Sequence, residues 1–227
     1  MIDLYTDATP NGLKVSIALE ELGLEYQAHR LYLGGEQKTP EFTLLNPNQK
    51  IPVLVDGDVT VTESGAILYY LGQKTGKLLP QDMIKRTKVM EMLMLQMSGL
   101  GPNFGQFLVW AAAWGNEVPQ ASERYQKEVI RLFSVLEQHL DGHSYFAGDE
   151  FTIADIAFLP WIRLCHVHPV AQSLPLSDFK NLSNWYQRVI ERKAVQRGLL
   201  VPEPHEPEKM FKAFVSSTVG LGELHNA

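Results

Sequence analysis

The chain has 227 residues, of which 45% are hydrophobic and 20% charged, and its formal net charge is −6. This length suits one large or two modest globular domains with a full core, and the negative charge argues against nucleic acid or an anionic membrane as the main partner. No apolar run approaches the roughly 20 residues that span a bilayer, and Met1 to Tyr5 lack an export pattern, so we expect a cytoplasmic protein.

Residues 1–76 alternate strand and helix patterns. The predicted elements are a strand over Ile2–Tyr5, a helix over Gly12–Leu22, a strand over Tyr26–Leu33, a weak helix over Thr39–Leu45, strands over Pro52–Val55 and Val59–Val61, and a helix over Ser64–Lys74. Gly23 and Gly76 are placed to end two helices, and Gly57 marks a hairpin between the last two strands. This β-α-β-α-β-β-α order predicts a small α/β domain with a mixed sheet.

From Met83 onward the patterns are helical. The predicted helices cover Met83 to about Ala113, Ala121–Leu140, Thr152–Cys165 and Asn181–Glu191, and one short helix follows. Thr152 and Asp155 have the spacing of a capping box. We therefore expect an all-helical domain over residues 83–201 and a loosely ordered tail over residues 202–227.

Cys165 is the only cysteine, so no internal disulfide can form, which fits a reducing compartment. It lies in an apolar helical stretch, where we expect a buried thiol. His166 and His168 follow closely, but successive side chains on a helix point about 100° apart, so the three do not converge on a metal ion. We expect no metal site, and any thiol chemistry has to use a sulfur that a ligand brings.

Two stretches around the predicted hairpin carry the most information about binding. If the Ile51–Pro52 bond is cis, the Ile51 main chain faces outward and can pair with an extended peptide. Glu63 and Ser64 stand at a helix N-terminus, where N–H groups and the helix dipole favour a carboxylate and Glu63 can hold an ammonium. A strand start and a plain helix cap would explain the same residues structurally. Together the two features predict a site for a γ-glutamyl tripeptide.

Three further motifs narrow the interpretation. With the two above, the set comprises, in chain order, residues 9–14 (TPNGLK), Ile51-Pro52, Glu63-Ser64, residues 96–106 (QMSGLGPNFGQ) and Phe151–Asp155. As a set they resemble the glutathione transferase superfamily over nearly the whole chain, and the motifs at residues 9–14 and 96–106 look like those of its bacterial nu-class members. The resemblance implies a thioredoxin-like first domain, an all-helical second domain, a homodimer, and reduction of disulfides with glutathione.

The resemblance also implies roles for individual residues. Thr9 and Asn11 would approach the glutathione sulfur, and Gln37 and Lys50 would contact its glycyl end. Tyr5 is the alternative thiol-activating residue, because other transferase classes use an N-terminal tyrosine. It fits the strand pattern, and we interpret it as structural.

The remaining implied contacts concern the rest of the tripeptide. Ile51, ahead of a cis Pro52, would pair by main chain with the cysteinyl residue. Glu63 and Ser64 would hold the γ-glutamyl group. Arg124 resembles an arginine that reaches into the partner subunit's site, which presumes the homodimer.

The second substrate, a small disulfide or another electrophile, is less well defined. Ser98 replaces a usual glycine and Asn103 a usual apolar residue, which predicts a more polar pocket for it. Two alternatives stay open: a conventional transferase that conjugates carbon electrophiles or reduces peroxides, and a non-catalytic regulator with the same fold. The intact set of glutathione-contacting residues argues against the regulator.

Overall fold

The computed structural model describes residues 1–114 and 117–202, so the predicted tail lies, apart from Pro202, outside the described residues. The strands are β1 (Ile2–Thr6), β2 (Tyr26–Arg30), β3 (Val53–Asp56) and β4 (Val59–Thr62). The helices are α1 (Pro10–Leu22), α2 (Pro40–Leu45), α3 (Ser64–Thr75), α4 (Met83–Leu95), α5 (Gly101–Trp114), α6 (Pro119–His139), α7 (Ile153–Val167), α8 (Lys180–Ile190) and α9 (Lys193–Gly198).

The described strands form one mixed sheet in the order β2-β1-β3-β4. β1 is parallel to β2 and antiparallel to β3, and β3 is antiparallel to β4. The predicted α/β fold followed by helices is therefore confirmed. β2 ends at Arg30 rather than Leu33, because the Tyr32 N–H donates to the Glu36 carboxylate at 2.8 Å and the chain leaves the sheet.

Local sequence signals define both ends of α1. Thr9 caps its start by accepting a hydrogen bond from the Gly12 N–H at 3.1 Å, and Pro10 occupies the first turn, where its missing N–H costs nothing. Gly23 ends the helix in the left-handed region with φ 66°, as predicted.

The helical part packs against the α/β part along α1. The Ser16 hydroxyl donates to the Gly198 carbonyl at 2.7 Å, and a Cβ at Gly198 would collide with the Ile17 backbone, so this approach requires glycine. Arg192 forms a two-pronged ion pair with Glu21, with both N···O distances at 2.7 Å. These contacts hold α9 on α1 and fix how the two parts face each other.

The helical prediction from Met83 to about Ala113 is confirmed, but the stretch is divided, because Gln96–Leu100 form a π-helical turn between α4 and α5. The buried Gln96 side chain accepts a hydrogen bond from Lys14 of α1 at 2.6 Å. A Cβ at Gly101 would lie 2.9 Å from Gln96 Nε2. The polar contact between Gln96 and Lys14 thus accompanies a change in helix geometry between α4 and α5. The spacing of apolar residues in the sequence does not indicate this contact. None of the described helices is both long and apolar enough to cross a membrane.

The predicted capping box at Thr152 and Asp155 is confirmed at the start of α7. The fully buried Asp155 carboxylate accepts hydrogen bonds from the Thr152 N–H at 2.9 Å, the Phe146 N–H at 3.2 Å and the Trp185 indole at 2.8 Å. Burial raises the pKa of Asp155 to about 6, although these hydrogen bonds act in the opposite direction. This carboxylate therefore joins α7 to α8 and to the loop that precedes α7.

We expect Asp155→Asn to lower the free energy of unfolding by about 3 kcal/mol, because the amide nitrogen would face donors that now meet a carboxylate oxygen. Urea unfolding measures the change. The matched control is Asp178→Asn, which alters an exposed aspartate and should shift stability by less than about 0.5 kcal/mol. Equal stability of the two variants would contradict the role given to Asp155.

Candidate active site

A cleft with a volume of about 260 Å³ lies between the α/β part and the helical part. The β1–α1 loop, the segment ahead of β3 and the start of α3 form one side, and α5 and α7 form the other. The predicted site residues that line it are Thr9, Asn11, Gln37, Lys50, Ile51, Pro52, Glu63 and Ser64. Arg124 does not line it, and its side chain is exposed on α6.

Thr9 and Asn11 each use an acceptor within the protein and keep a donor for a ligand. The Thr9 hydroxyl oxygen already accepts from the Gly12 N–H, so its proton is available to donate. The Trp161 indole N–H, which can only donate, lies 3.3 Å from Asn11 Oδ1. The amide oxygen of Asn11 is therefore directed at Trp161, and its NH₂ group is available to donate into the cleft.

Ile51 presents its main chain as expected. The Ile51–Pro52 peptide bond is cis, and the ladders on both sides of β3 begin only at Val53. Within the described residues the Ile51 N–H and C=O make no hydrogen bond. Asn46 supports this segment by donating from its side chain to the Lys50 carbonyl at 2.7 Å.

The start of α3 offers donors and a carboxylate. The first hydrogen bond of the helix runs from the Ile67 N–H to the Glu63 carbonyl at 2.9 Å, so the preceding N–H groups have no partner in the helix. Ser64 is buried there, at the positive end of the helix dipole. Glu63 is exposed, has φ 66° and makes no side-chain capping bond, so a plain cap does not explain this residue.

Gln37 and Tyr5 are held by their own surroundings. The buried Gln37 amide donates to the Leu33 carbonyl at 3.1 Å and accepts from the Gly35 N–H at 3.2 Å, which shapes the loop beside the cleft. Tyr5 stacks on His29 with ring centroids 4.7 Å apart and does not line the cleft. This placement supports the structural interpretation of Tyr5.

The opposite wall is mostly apolar, and sequence reasoning did not identify it. Its members from α5, α7 and the residue after α7 are Gly105, Leu108, Pro160, Trp161, Arg163, Leu164, Val167 and His168. Trp161, Leu164 and His168 follow at helical spacing, so the sequence contained a signal for one face of α7 but not for what that face contacts. Burial lowers the pKa of the Arg163 guanidinium, which still carries its charge at neutral pH.

The expectation that Ser98 and Asn103 make this wall more polar is wrong. The Ser98 hydroxyl donates to the Met94 carbonyl and the Asn103 amide to the Gly99 carbonyl, both at 2.8 Å. Neither residue lines the cleft. Their polar groups bond back to the preceding turn, so their chemical character does not reach a substrate.

The thiol of Cys165 is not a reactive group of this site. It is buried on α7, and burial raises its pKa to about 12, so it remains protonated at neutral pH. Among the described residues no group of three or more His, Cys, Asp or Glu side chains is arranged to hold a metal ion.

Comparison with known proteins agrees with these features. Residues 2–73 match "Glutathione S-transferase, N-terminal domain" and residues 85–193 match "Glutathione S-transferase, C-terminal domain". In Escherichia coli K12, Disulfide-bond oxidoreductase YfcG is 38% identical over 88% of this chain and 95% of its own, and Disulfide-bond oxidoreductase YghU is 41% identical over 91% and 76%. A glutathione transferase from Pseudomonas putida, solved with one glutathione disulfide bound per subunit, has a TM-score of 0.84 and 40% identity, over 88% of this chain and 91% of its own.

Proposed function

Since this chain belongs to the glutathione S-transferase family, we propose that it is a nu-class-type enzyme that reduces disulfide bonds with glutathione. The observation that carries the proposal is the convergence, in one cleft, of the Ile51 main chain, the start of α3 at Ser64 and the free donors of Thr9 and Asn11. The Escherichia coli relatives are named disulfide-bond oxidoreductases, which favours this activity among those of the family.

The charges around the cleft match those of the tripeptide, which carries two carboxylates and one ammonium. The γ-glutamyl carboxylate takes the N–H groups at Ser64 and its ammonium pairs with Glu63. The cysteinyl residue pairs with the main chain of Ile51, and the glycyl carboxylate lies near Lys50 and Gln37. The sulfur then lies near Thr9 and Asn11, at the end of the cleft that faces α7.

The reaction consists of two thiol–disulfide exchanges. The bound glutathione thiolate attacks one sulfur of the substrate disulfide, the new S–S bond forms as the old one breaks, and the departing thiolate takes up a proton. A second glutathione thiolate attacks the mixed disulfide and releases the other substrate thiol. Two glutathiones are oxidised to glutathione disulfide, and the substrate is reduced to two thiols.

Acidifying the thiol explains little of the rate. A free thiol with a pKa of about 8.5 is about 3% thiolate at pH 7, and lowering the pKa by about two units raises that about 25-fold. The lower basicity costs about 6–10-fold in nucleophilicity, so the net gain is only a few-fold. The donors of Thr9 and Asn11 therefore contribute mainly by aligning the sulfur for in-line attack and by stabilising thiolate charge.

We also propose that the protein is a cytoplasmic homodimer in which Arg124 reaches the partner's cleft. Three large apolar side chains of α4 are exposed, Met83 by 81%, Ile84 by 76% and Met94 by 51%. Exposed apolar side chains of this size are typical of a protein–protein interface. Because Arg124 is exposed and outside its own cleft, it is available to a second subunit.

We expect reduction of bis(2-hydroxyethyl) disulfide by glutathione to exceed conjugation of 1-chloro-2,4-dinitrobenzene by at least about tenfold in kcat/KM. The first reaction is measured as NADPH consumption in a coupled assay with glutathione reductase. The second is measured from the absorbance of the conjugate. The apolar wall at Leu108 and Leu164 favours the conjugating activity as the second candidate, and the opposite ratio would select it. Glutathione binding without turnover of either substrate would select the regulator.

We expect the double change Thr9→Ala with Asn11→Ala to lower kcat/KM for disulfide reduction by at least about 100-fold, because both donors to the sulfur are lost. Tyr5→Phe should stay within about twofold of the parent, since Tyr5 packs on His29 outside the cleft. Steady-state kinetics at saturating glutathione separates the two variants. The reverse ranking would transfer thiol activation to Tyr5.

We expect Cys165→Ser to retain disulfide reductase activity to within about twofold, because a buried thiol with a pKa of about 12 supplies no thiolate at neutral pH. The same coupled assay measures it. Complete loss of activity in a variant that unfolds at the parent's temperature would show that a protein thiol takes part in the exchange.

A further inference from the structure

Lys14 is buried beneath the floor of the cleft. Its side chain is 1% exposed, and its Nζ lies 2.6 Å from Gln96 Oε1, 3.4 Å from Ser64 Oγ and 3.4 Å from Met97 Sδ. An ammonium group has three N–H donors and no acceptor, so the three surrounding acceptors match the charged form of lysine. The charge has nevertheless no carboxylate in direct contact among the described residues.

Keeping a charge in this position opposes folding, because burial without a contacting counter-ion costs free energy. Burial lowers the pKa of Lys14 to about 7, and the field of the nearby Glu63 carboxylate acts in the opposite direction. An apolar side chain of similar length would fill the same space without that cost. The unbalanced charge therefore points to a counter-charge that arrives with a ligand.

Ser64 connects Lys14 to the cleft. Lys14 donates to the Ser64 hydroxyl oxygen, which leaves the Ser64 proton to be donated elsewhere. Its acceptor in the structure is the weakly accepting Met97 sulfur at 3.8 Å. A Cβ at Gly65 would lie 2.9 Å from Met97 Cγ, so the first turn of α3 packs closely on the π-helical turn that supplies Gln96 and Met97. A carboxylate at the start of α3 would be a far better acceptor for this proton.

We propose that Lys14 is a positioning residue for the γ-glutamyl carboxylate of glutathione, acting through Ser64 from the buried side of the cleft. The inference rests on the proposed function, because that function supplies the ligand. Lys14 orients the Ser64 hydroxyl towards the carboxylate and provides its long-range counter-charge.

The placement has a consequence for proton uptake. A bound carboxylate favours the ammonium form, so glutathione binding raises the pKa of Lys14, and affinity falls as the pH rises through that higher pKa. Among the described groups, the charged side chain whose field reaches Lys14 is Glu63, ahead of α3. The π-helical turn presents the uncharged Gln96 and Met97, and the first turn of α1 has no acidic residue.

The experiment compares three ligands by isothermal titration calorimetry on the full chain and on Lys14→Met. S-methylglutathione removes thiol titration, its glutaryl analogue keeps the γ-glutamyl carboxylate but lacks the ammonium, and its 4-aminobutanoyl analogue keeps the ammonium but lacks the carboxylate. We expect Lys14→Met to weaken the first two ligands at least about tenfold and the third by less than about twofold. The matched control is Lys193→Met at an exposed position of α9, which should change none of them.

Equal weakening of all three ligands by Lys14→Met, or no weakening, would overturn the inference.

The parent protein provides a second test that needs no variant to fold. Near pH 7.5, titrations in buffers of different ionisation enthalpy should show uptake of about half a proton with S-methylglutathione and none with the 4-aminobutanoyl analogue. Equal uptake with both ligands would overturn it as well. Failure of the parent to bind S-methylglutathione would contradict the proposed function itself.

Discussion

The N-terminal half of α1 is fixed from two sides by polar contacts, and the geometry of the cleft depends on them. Asn11 is bound by the Trp161 indole of α7, and Lys14 is bound by Gln96 of the π-helical turn. Towards the α/β part, Lys14 also donates to Ser64 at the start of α3. The residues proposed to contact the sulfur and the γ-glutamyl group are therefore held by both parts of the protein at once. A displacement of the helical part along α1 would redirect them together.

The same region concentrates unfavourable features. Glu63 and Gln49 line the cleft with φ values of 66° and 55°, in a region that costs residues other than glycine about 1–3 kcal/mol each. Lys14 adds the cost of a buried charge. Burial of a large apolar core, which continues through both parts, offsets this unfavourable free energy. Its fully buried members include Leu4, Ile17, Leu54, Ile67, Phe104, Phe133, Phe158 and Trp185. In exchange, the donors and the main chain of the site are already held in place before a ligand binds, so binding loses less conformational entropy.

The site supplies orientation and charge rather than a reactive atom. Cys165 is buried and protonated, and the polar groups at the cleft are donors, one exposed carboxylate and unpaired main chain. Such a site needs a ligand that brings its own nucleophile. A thiol tripeptide is such a ligand, and holding its backbone rigidly would position its sulfur for attack. In the proposed function, the apolar wall from α5 and α7 provides room for the second substrate next to the sulfur.

The sequence alone determined the elements and the side of the cleft that the α/β part forms, because those signals are local. Turn glycines, the caps at Thr9 and Thr152, and the Ile51-Pro52 and Glu63-Ser64 motifs act within a few residues of one another. Only the tertiary structure decided what approaches these residues from distant parts of the chain. The π-helical turn at Gln96, the contact of Trp161 with Asn11 and the burial of Lys14 join positions that are 82 to 150 residues apart. The physical reason is that periodicity shows which face of a helix is apolar, whereas packing decides which neighbour covers that face and which polar groups meet there.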